Sequence, residues 1–211
     1  MAKTTVHRTA NELHAVGLVE RAGDGYRLGT KMFELGSRVP GRRHLRDAAL
    51  PFLEDLSRAT NQTVHLAVLD DGDVMYVERL VGSRSSEVPS SVAARLPLHC
   101  TATGKCIMAF GELSLRERVL AEPLVGLTPR SILDPQQLLA DLEKITVAGV
   151  AEEVGEVSEG LRSLAAPIRS FDDALIGALS ATGPIEDFDR DAIEPLVRLA
   201  ASGLSRSLGS R

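Results

Sequence analysis

A cluster of small polar residues leads directly into an apolar helical run at Leu96–Phe110, LPLHCTATGKCIMAF, and this stretch constrains the fold more than any other. Thr101 and Thr103 are both suited to cap the helix, because a side-chain hydroxyl can accept a hydrogen bond from a first-turn amide. Ala102 and Gly104 leave the backbone accessible, and unpaired amides at the positive end of a helix dipole favour a carboxylate or phosphate. The same pattern also fits an ordinary capped helix, so a ligand site needs support from the rest of the chain.

Charge is unevenly distributed along the 211 residues. Residues 1–46 carry a net charge of +5, whereas residues 47–211 carry a net charge of −10. A basic module followed by an acidic body indicates that the N-terminal end meets a polyanion. The two cysteines are spaced for neither a disulfide framework nor a zinc site, which favours the reducing cytoplasm. No apolar run reaches the length of a membrane span and no signal peptide precedes the first helix, so we expect no membrane partner.

The N-terminal residues have the pattern of a DNA-reading helix followed by a hairpin. Lys3–Val16 has helical period, with apolar residues along one face. The opposite face carries hydroxyl and basic side chains suited to phosphates and base edges in a major groove, namely Lys3, Thr4, Thr5, His7 and Arg8. Two short strands, Leu18–Arg21 and Tyr26–Leu28, are joined at Ala22–Gly25, whose Asp-Gly dipeptide is a strong hairpin signal. We predict a recognition helix and a basic wing carrying Arg27; the alternative is an amphipathic helix with a solvated polar end.

A linker is predicted between this module and the body of the chain. Lys31–Val39 begins a connecting helix that Pro40-Gly41 interrupts, so residues 31–44 form the candidate linker. Leu45–Leu56 then has apolar residues at spacings of three and four with charged residues outside, the pattern of an amphipathic helix. We therefore expect the second domain to begin at Leu45.

The body alternates between strand-like and helical patterns. Strand-like runs are Thr63–Leu69, Asp73–Val81, a weaker edge at Ser85–Ala94, Leu161–Ser170 and Ala174–Gly183. Helical runs are Ser114–Leu120, Leu138–Ile145 and Asp189–Leu208, the last with Asp189 as its candidate N-cap. Gly149–Glu159 is acidic and is predicted as a loop. We predict an α+β fold in which helices cover one face of antiparallel strand pairs.

Three motifs, in this order, resemble the IclR family of bacterial transcription regulators. KTTVHRTANELHAVGLVERAGDGYRLG is similar to the later part of that family's winged helix-turn-helix. LPLHCTATGKCIMAF is similar to its effector-domain segment L-P-L-H-x-T-A-x-G-K. GVAEEVGEVSEGLRSLAAPIRS and ALIGALSATGP resemble its C-terminal signature, an acidic loop before G-x-R-x-x-A-A-P-V and a strand ending in S-x-S-G-P. The resemblance covers nearly the whole chain.

This resemblance implies a partial winged helix-turn-helix at residues 1–30, a linker helix at 31–44 and a GAF-like antiparallel-sheet effector-binding domain at 45–211. It implies a transcription regulator that binds double-stranded operator DNA under the control of a small effector, generally an organic acid. Family members are commonly homodimers or dimers of dimers, and the resemblance implies no cofactor. The alternative is a ligand-sensing domain that acts through protein partners without binding DNA.

The family pattern also implies where the effector binds. Its pocket lies between the amides at the start of the helix in the H-x-T-A-x-G-K segment and the last two strands. By matching position, the amide donors are Ala102, Thr103 and Gly104, the hydroxyls are Ser163, Ser180 and Thr182, and the pocket acid is Glu153, with Glu156 nearby. We hypothesise that the effector draws the helix at Thr101–Phe110 towards the final strands and thereby shifts the Leu45–Leu56 helix.

The chain departs from the family pattern in two respects. The family's DNA-binding domain normally begins with two helices that would precede Lys3, so we expect an upstream start or a truncated gene model. Ser163 stands where family members often have cysteine, and Thr182 stands where serine is usual. Both changes alter pocket size and polarity, so the effector of a relative cannot be assigned to this chain.

An enzyme is the rival from another class, but the chain has no nucleophile elbow, metalloprotease, P-loop or Rossmann motif. His99 and Cys100 are neighbours in sequence and do not make a dyad, and a metal site built on them lacks a spacing signature. We interpret His99 as holding the loop by hydrogen bonds, with ligand contact as the alternative. Cys106 is predicted to be core, and Lys105 is predicted to have an exposed stem.

Overall fold

The computed structural model describes residues 3–36, 42–83 and 90–209, without the side chains of Lys3, Thr4 and Arg42. The chain forms two compact units, Met1–Leu45 and Arg46–Arg211. In the described parts of the chain, no helix is both long and apolar enough to cross a membrane.

The N-terminal unit contains α1 (Lys3–Ala15), β1 (Val19–Ala22), β2 (Gly25–Leu28) and α2 (Thr30–Gly36). Val19 pairs with Leu28 and Ala22 pairs with Gly25, so the hairpin turns on the two residues between them. The turn is therefore centred on Gly23-Asp24 and not on the Asp-Gly dipeptide that signalled it. Gly23 has φ +55°, as the first central position of a II′ turn requires.

The apolar face of α1 is exposed at Val6 and Leu13, as is Val16 just after the helix. Pro40 and Gly41 of the predicted linker lie outside the described residues. Residues 37–39 also lie outside them, and the described parts of the linker are helical, because α2 ends at Gly36 and α3 begins at Arg42.

The second unit is built on one six-stranded antiparallel sheet. Its strands are β3 (Thr63–Asp70), β4 (Asp73–Leu80), β5 (Arg95–Pro97), β6 (Ala151–Val154), β7 (Leu161–Arg169) and β8 (Leu175–Pro184). Their order across the sheet is β5-β4-β3-β8-β7-β6. The two long hairpins predicted from sequence are confirmed, and their union through β3 and β8 makes one sheet.

Both edge strands differ from the prediction. The weaker edge was expected at Ser85–Ala94, of which residues 85–89 lie outside the described ranges; the strand lies after it, at Arg95–Pro97. Ala93 has φ +65°, which bends the chain just before β5. The other edge, β6, lies inside the predicted acidic loop, because pairing with β7 stabilises a strand whose composition argues against one.

Helices cover both faces of the sheet, whereas the sequence predicted one. The remaining helices are α4 (Ala102–Phe110), α5 (Leu113–Leu120), α6 (Pro135–Ala148) and α7 (Arg190–Ser207). One core cluster joins α4, α5 and α6 to alternate strand residues that include Ala67, Tyr76 and Ala165. Because successive side chains of a strand point to opposite faces, the intervening residues, such as Leu66 and Leu164, face the other layer. That layer contains α3 and α7, which meet where Gly203 packs against the ring of Phe52.

Helix caps agree with the sequence where the cap is a polar side chain. Asp189 accepts a hydrogen bond from the amide of Ala192 and begins α7, as predicted. At α4 the sequence left Thr101 and Thr103 as alternatives, and the structure selects Thr101.

Candidate functional site

Three polar side chains from the sequence-predicted site lie side by side on the sheet face that α4 covers. The strand register pairs Glu153 with Ser163 and Ser163 with Thr182, across β6, β7 and β8. The Ser163 hydroxyl lies 2.9 Å from Glu153 Oε1 and 2.9 Å from the Thr182 hydroxyl. Strand pairing therefore places these three residues, which are distant in sequence, in one hydrogen-bonded row.

A second polar group continues this face towards the centre of the sheet. Ser180 pairs with His65 on β3, and its hydroxyl lies 3.4 Å from His65 Nδ1. The other ring nitrogen lies 2.8 Å from the Ser90 hydroxyl, and the ring packs on Tyr76 with centroids 4.7 Å apart. Burial lowers the pKa of His65 to about 3, so this histidine is a neutral wall of the site.

The start of α4 closes the site from above the sheet. Thr101 Oγ1 accepts a hydrogen bond of 2.9 Å from the backbone amide of Gly104. The Thr101 carbonyl accepts one of 2.8 Å from the backbone amide of Lys105. Ala102 and Thr103 are the first two helical residues, whose amides have no acceptor within a helix. These two amides and the positive end of the helix dipole are the donors that an anion would use.

Gly104 has a different role from the predicted amide donor. Its amide is bonded to Thr101, and it does not line the cavity described below. A Cβ at this position would overlap the carbonyl oxygen of Leu98. The glycine thus lets α4 lie close to the backbone of Leu98, and Ala102 and Thr103 remain as the candidate amide donors.

A small cavity of about 20 Å³ lies between the start of α4 and the sheet. Six of the seven predicted effector residues line it, namely Ala102, Thr103, Glu153, Ser163, Ser180 and Thr182. A space of this size holds about one water molecule. A larger open cleft of about 550 Å³ lies beyond the other end of α4, near Phe110 and Leu175. We favour the small cavity as the site because buried polar side chains from several elements converge on it, whereas polar residues of the cleft such as Glu112, Ser114 and Arg118 are exposed.

Glu153 is the buried carboxylate of the cavity and is 2% exposed. Its Oε2 accepts a hydrogen bond of 2.9 Å from the Glu156 amide, while Oε1 accepts the Ser163 hydroxyl. Burial raises the pKa of Glu153 to about 7 and outweighs these hydrogen bonds, which act to lower it. The group therefore changes charge near neutral pH.

Lys105 is buried, in contrast to the exposed stem predicted from sequence. It is 2% exposed, and its Nζ lies 2.7 Å from Glu156 Oε1 and 2.9 Å from Asp141 Oδ2. Burial alone would lower the pKa of Lys105, but the two carboxylates outweigh it and the net shift is upward. This ion triad ties α4 to α6 and to the loop after β6, directly beside Glu153.

His99 and the cysteines lie outside the cavity lining. His99 is buried, and its pKa is lowered by burial. Cys106 is fully buried core, as predicted. Within the described ranges, no three His, Cys, Asp or Glu side chains converge in a way that could hold a metal ion.

The predicted DNA-binding residues belong to the N-terminal unit. The side chains of Lys3 and Thr4 lie outside the described residues, whereas His7 and Arg8 are exposed on α1 and Thr5 is half-buried. Arg8 is 3.8 Å from Glu12, and Arg27 on β2 is 2.9 Å from Glu20. Both arginines therefore have an acidic neighbour within their own unit.

Sequence reasoning missed the part of the site that comes from β3, β4 and the segment before β5. His65, Tyr76 and Ser90 line the cavity, but none lies in a motif. The signal that could have found His65 is its position in a run of otherwise apolar strand residues. Ser90 and Tyr76 offered no signal, because only the strand register brings them to the cavity.

Comparison with known proteins gives a consistent result along the chain. A family model described as "Bacterial transcriptional regulator IclR C-terminal" matches residues 38–206. The HTH-type transcriptional regulator XynR of Escherichia coli is 31% identical over 215 residues, covering 99% of this chain and 85% of the relative. The glycerol operon regulatory protein of Streptomyces griseus is 33% identical over 217 residues, covering 100% of this chain and 85% of the relative. Both names are those of transcription regulators, and neither is that of an enzyme.

A solved structure adds a ligand to this comparison. An IclR homologue from Microbacterium hydrocarbonoxydans, complexed with 4-hydroxybenzoate, superimposes with a TM-score of 0.90 at 32% identity. The match covers 99% of this chain and 86% of that chain.

Proposed function

Because this chain belongs to the IclR family of bacterial transcriptional regulators, we propose that it binds operator DNA under the control of a small carboxylate effector. In this proposal residues 1–30 are the DNA-binding part, residues 31–44 the linker and residues 45–211 the effector-binding domain, which is GAF-like. The regulator acts in the cytoplasm as a homodimer or dimer of dimers.

The observation that carries this proposal is the convergence of six predicted residues on one small cavity. The amides of Ala102 and Thr103, in the first turn of α4, are the proposed donors for a carboxylate, and the hydroxyls of Ser163, Ser180 and Thr182 complete the polar lining. The apolar part of the wall is formed by Leu96, Val157 and Leu161. This mixture suits a ligand with one anionic end and an apolar body.

The ligand of a relative supports the same class of effector. 4-Hydroxybenzoate, which the Microbacterium homologue binds, has a carboxylate at one end and an apolar ring. The chemistry of the cavity fits a compound of this kind, although its size does not.

The small volume of the cavity means that a ligand must change the structure in order to bind. A cavity of about 20 Å³ cannot accept a benzoate-sized molecule without widening. A ligand that fits only the widened form binds that form better, and this difference in affinity is what shifts a conformational equilibrium. We therefore revise the direction of the hypothesised movement, because the effector must separate α4 from the final strands and not draw them together.

One route connects the cavity to α3. Tyr76 of β4 lines the cavity, and Glu78, two residues further along the strand, lies 2.6 Å from Arg46 of α3. A β-bulge between these positions turns Glu78 to the opposite face of the sheet, where α3 lies. Displacement of β4 by the ligand would thus reach the helix that leads back to the DNA-binding part.

DNA binding is tested by fluorescence anisotropy of the chain with DNA from upstream of its own gene, at several salt concentrations. We expect binding that resists competitor DNA and weakens as salt rises, because phosphate contacts release counterions. His7→Ala and Arg8→Ala should weaken binding, whereas Arg58→Ala, an exposed arginine outside the DNA-binding part, should not. Absence of specific binding, together with retained ligand binding, would contradict the DNA-binding role and support a sensor that acts through protein partners.

A further inference from the structure

The cavity proposed for a carboxylate already contains a carboxylate. Both oxygens of Glu153 are engaged, one by the Ser163 hydroxyl and the other by the Glu156 amide. A ligand carboxylate at the start of α4 would be a second anion in the same small space. The charge of the surroundings decides whether both can be ionised at once.

The described residues that line the cavity include no lysine or arginine to balance a second anion. The titratable groups around Glu153 are Lys105 on α4, Asp141 on α6, Glu156 after β6, Tyr76 on β4, His65 on β3 and Cys100 before α4. Lys105 is already bound by two carboxylates, and His65 is neutral because burial lowers its pKa to about 3. Tyr76 and Cys100 are neutral too, since burial raises the pKa of both. Arg79, which pairs with His65 in the strand register and helps to lower the pKa of His65, lies outside the cavity lining. Within the lining the positive end of the α4 dipole favours an anion, but it is equivalent to only about half an elementary charge.

The hydroxyl row gives a second reason for a change of charge on binding. When Glu153 is ionised, Ser163 donates to it, and Thr182 donates to Ser163. Thr182 then offers the cavity only lone pairs, which repel a carboxylate. When Glu153 carries a proton, it can donate to Ser163, Ser163 can donate to Thr182, and the Thr182 hydrogen is free to bond an anion.

We propose that the cavity takes up a monocarboxylate together with one proton, which resides on Glu153 and reverses the donor order through Ser163 and Thr182. This inference rests on the proposed function and specifies its ligand class. Where Glu153 is ionised in the free protein, the proton keeps the number of negative charges in the cavity unchanged when the ligand enters. A dicarboxylate adds a charge that one proton does not offset, so the site discriminates against it.

The proton comes from solvent and its uptake depends on pH. Since burial raises the pKa of Glu153 to about 7, the free protein is largely protonated below this value and ionised above it. For a ligand that is ionised throughout, affinity is constant at low pH and falls about tenfold for each unit of pH above about 7.

Titration calorimetry on the whole chain tests this with benzoate, 4-hydroxybenzoate and terephthalate, the last having a second carboxylate in place of the hydroxyl. Measurements at about pH 6 and about pH 9, each in two buffers of different ionisation enthalpy, give both affinity and proton uptake. We expect benzoate, which stays a monoanion between the two pH values, to bind about 100-fold more weakly at the higher pH, with nearly one proton taken up per ligand there. Terephthalate should bind at least about tenfold more weakly than 4-hydroxybenzoate at both pH values.

Glu153→Gln separates this mechanism from a structural role of the side chain. The glutamine amide donates to Ser163 as a protonated carboxyl would, and it does not titrate. The variant should therefore take up no proton and bind the monocarboxylates about 100-fold more tightly than the wild type at about pH 9. Glu152→Gln is the matched control, because Glu152 is the preceding residue of β6 and pairs with Arg162 and Arg190. It should retain the wild-type pH profile.

The outcomes separate this inference from the proposed function. Monocarboxylate binding without proton uptake, or with the same affinity at both pH values, overturns the inference and leaves the proposed pocket standing. Equal affinity for terephthalate overturns the ligand class. If none of the three compounds binds at either pH, the proposed carboxylate site itself is refuted, and this inference with it.

Discussion

Replacing Lys105 by methionine removes the positive charge of the buried ion triad while nearly preserving side-chain length. The amine lies 2.7 Å from Glu156 and 2.9 Å from Asp141, whose side chains are 8% and 29% exposed. Without Lys105 the Glu156 carboxylate is left in a low-dielectric environment with no counterion. Breaking a buried pair in this way costs about 3–5 kcal/mol, and we expect a loss of this size in the free energy of unfolding at neutral pH.

Urea unfolding followed by far-ultraviolet circular dichroism measures this loss, because the chain has no tryptophan for fluorescence. The loss in the free energy of unfolding should be smaller in acid, where Glu156 takes up a proton. The double variant Lys105→Met with Glu156→Gln should recover at least about half of the lost free energy. The control is Arg58→Met, which breaks an ion pair with Asp55 whose side chains are 73% and 77% exposed. That change should cost less than about 1 kcal/mol. Equal small losses in Lys105→Met and the control would refute the assigned role of the triad.

Three further predictions concern stability around the cavity, each measured by urea unfolding. Thr101→Ala removes the α4 cap and should cost about 1–2 kcal/mol, whereas an unchanged midpoint would mean that Thr101 is not the effective cap. Gly104→Ala should cost about 1–3 kcal/mol, because the new methyl overlaps the Leu98 carbonyl; full stability would show that the helix start can shift freely. Glu153→Gln should change the pH dependence of stability. Since the pKa of Glu153 is raised from 4.5 to about 7 on folding, its contribution is fully present below about pH 4.5 and lost as pH rises through about 7. The wild type should therefore lose about 3 kcal/mol relative to Glu153→Gln over that range, and parallel pH profiles would exclude this assignment.

Local patterns were sufficient to predict most elements of this fold from sequence. The helical period of α1, α3 and α7 and the long strands of both hairpins are visible in the order of apolar residues. The edge strands were missed because β5 has three residues and β6 is half acidic, so both depend on a partner strand and not on composition. The placement of helices on both faces was also missed, since a strand buried on both sides has no alternation that assigns helices to a face.

The family motifs supplied six residues that line one cavity in the structure. Spacing alone could show that Ser180 and Thr182 share a strand face, but not that Glu153, Ser163 and Thr182 form a row, because register between distant strands is a tertiary property. The burial of Lys105 was missed for a similar reason. Its partners, Asp141 and Glu156, are 36 and 51 residues away in the chain.

The most direct test of the central claim compares carboxylate binding in two cavity-filling variants. Ser163→Leu fills the small cavity beside Glu153, and Ser114→Leu places the same side chain in the larger open cleft. Calorimetry at about pH 6 should then follow binding of whichever test carboxylate the wild type binds most tightly, with retained circular dichroism as the check on folding. The account predicts that Ser163→Leu weakens binding at least about 100-fold, an effect of about 3 kcal/mol, while Ser114→Leu leaves it unchanged. Loss of binding in Ser114→Leu with full binding in Ser163→Leu would contradict the account and assign the ligand to the cleft.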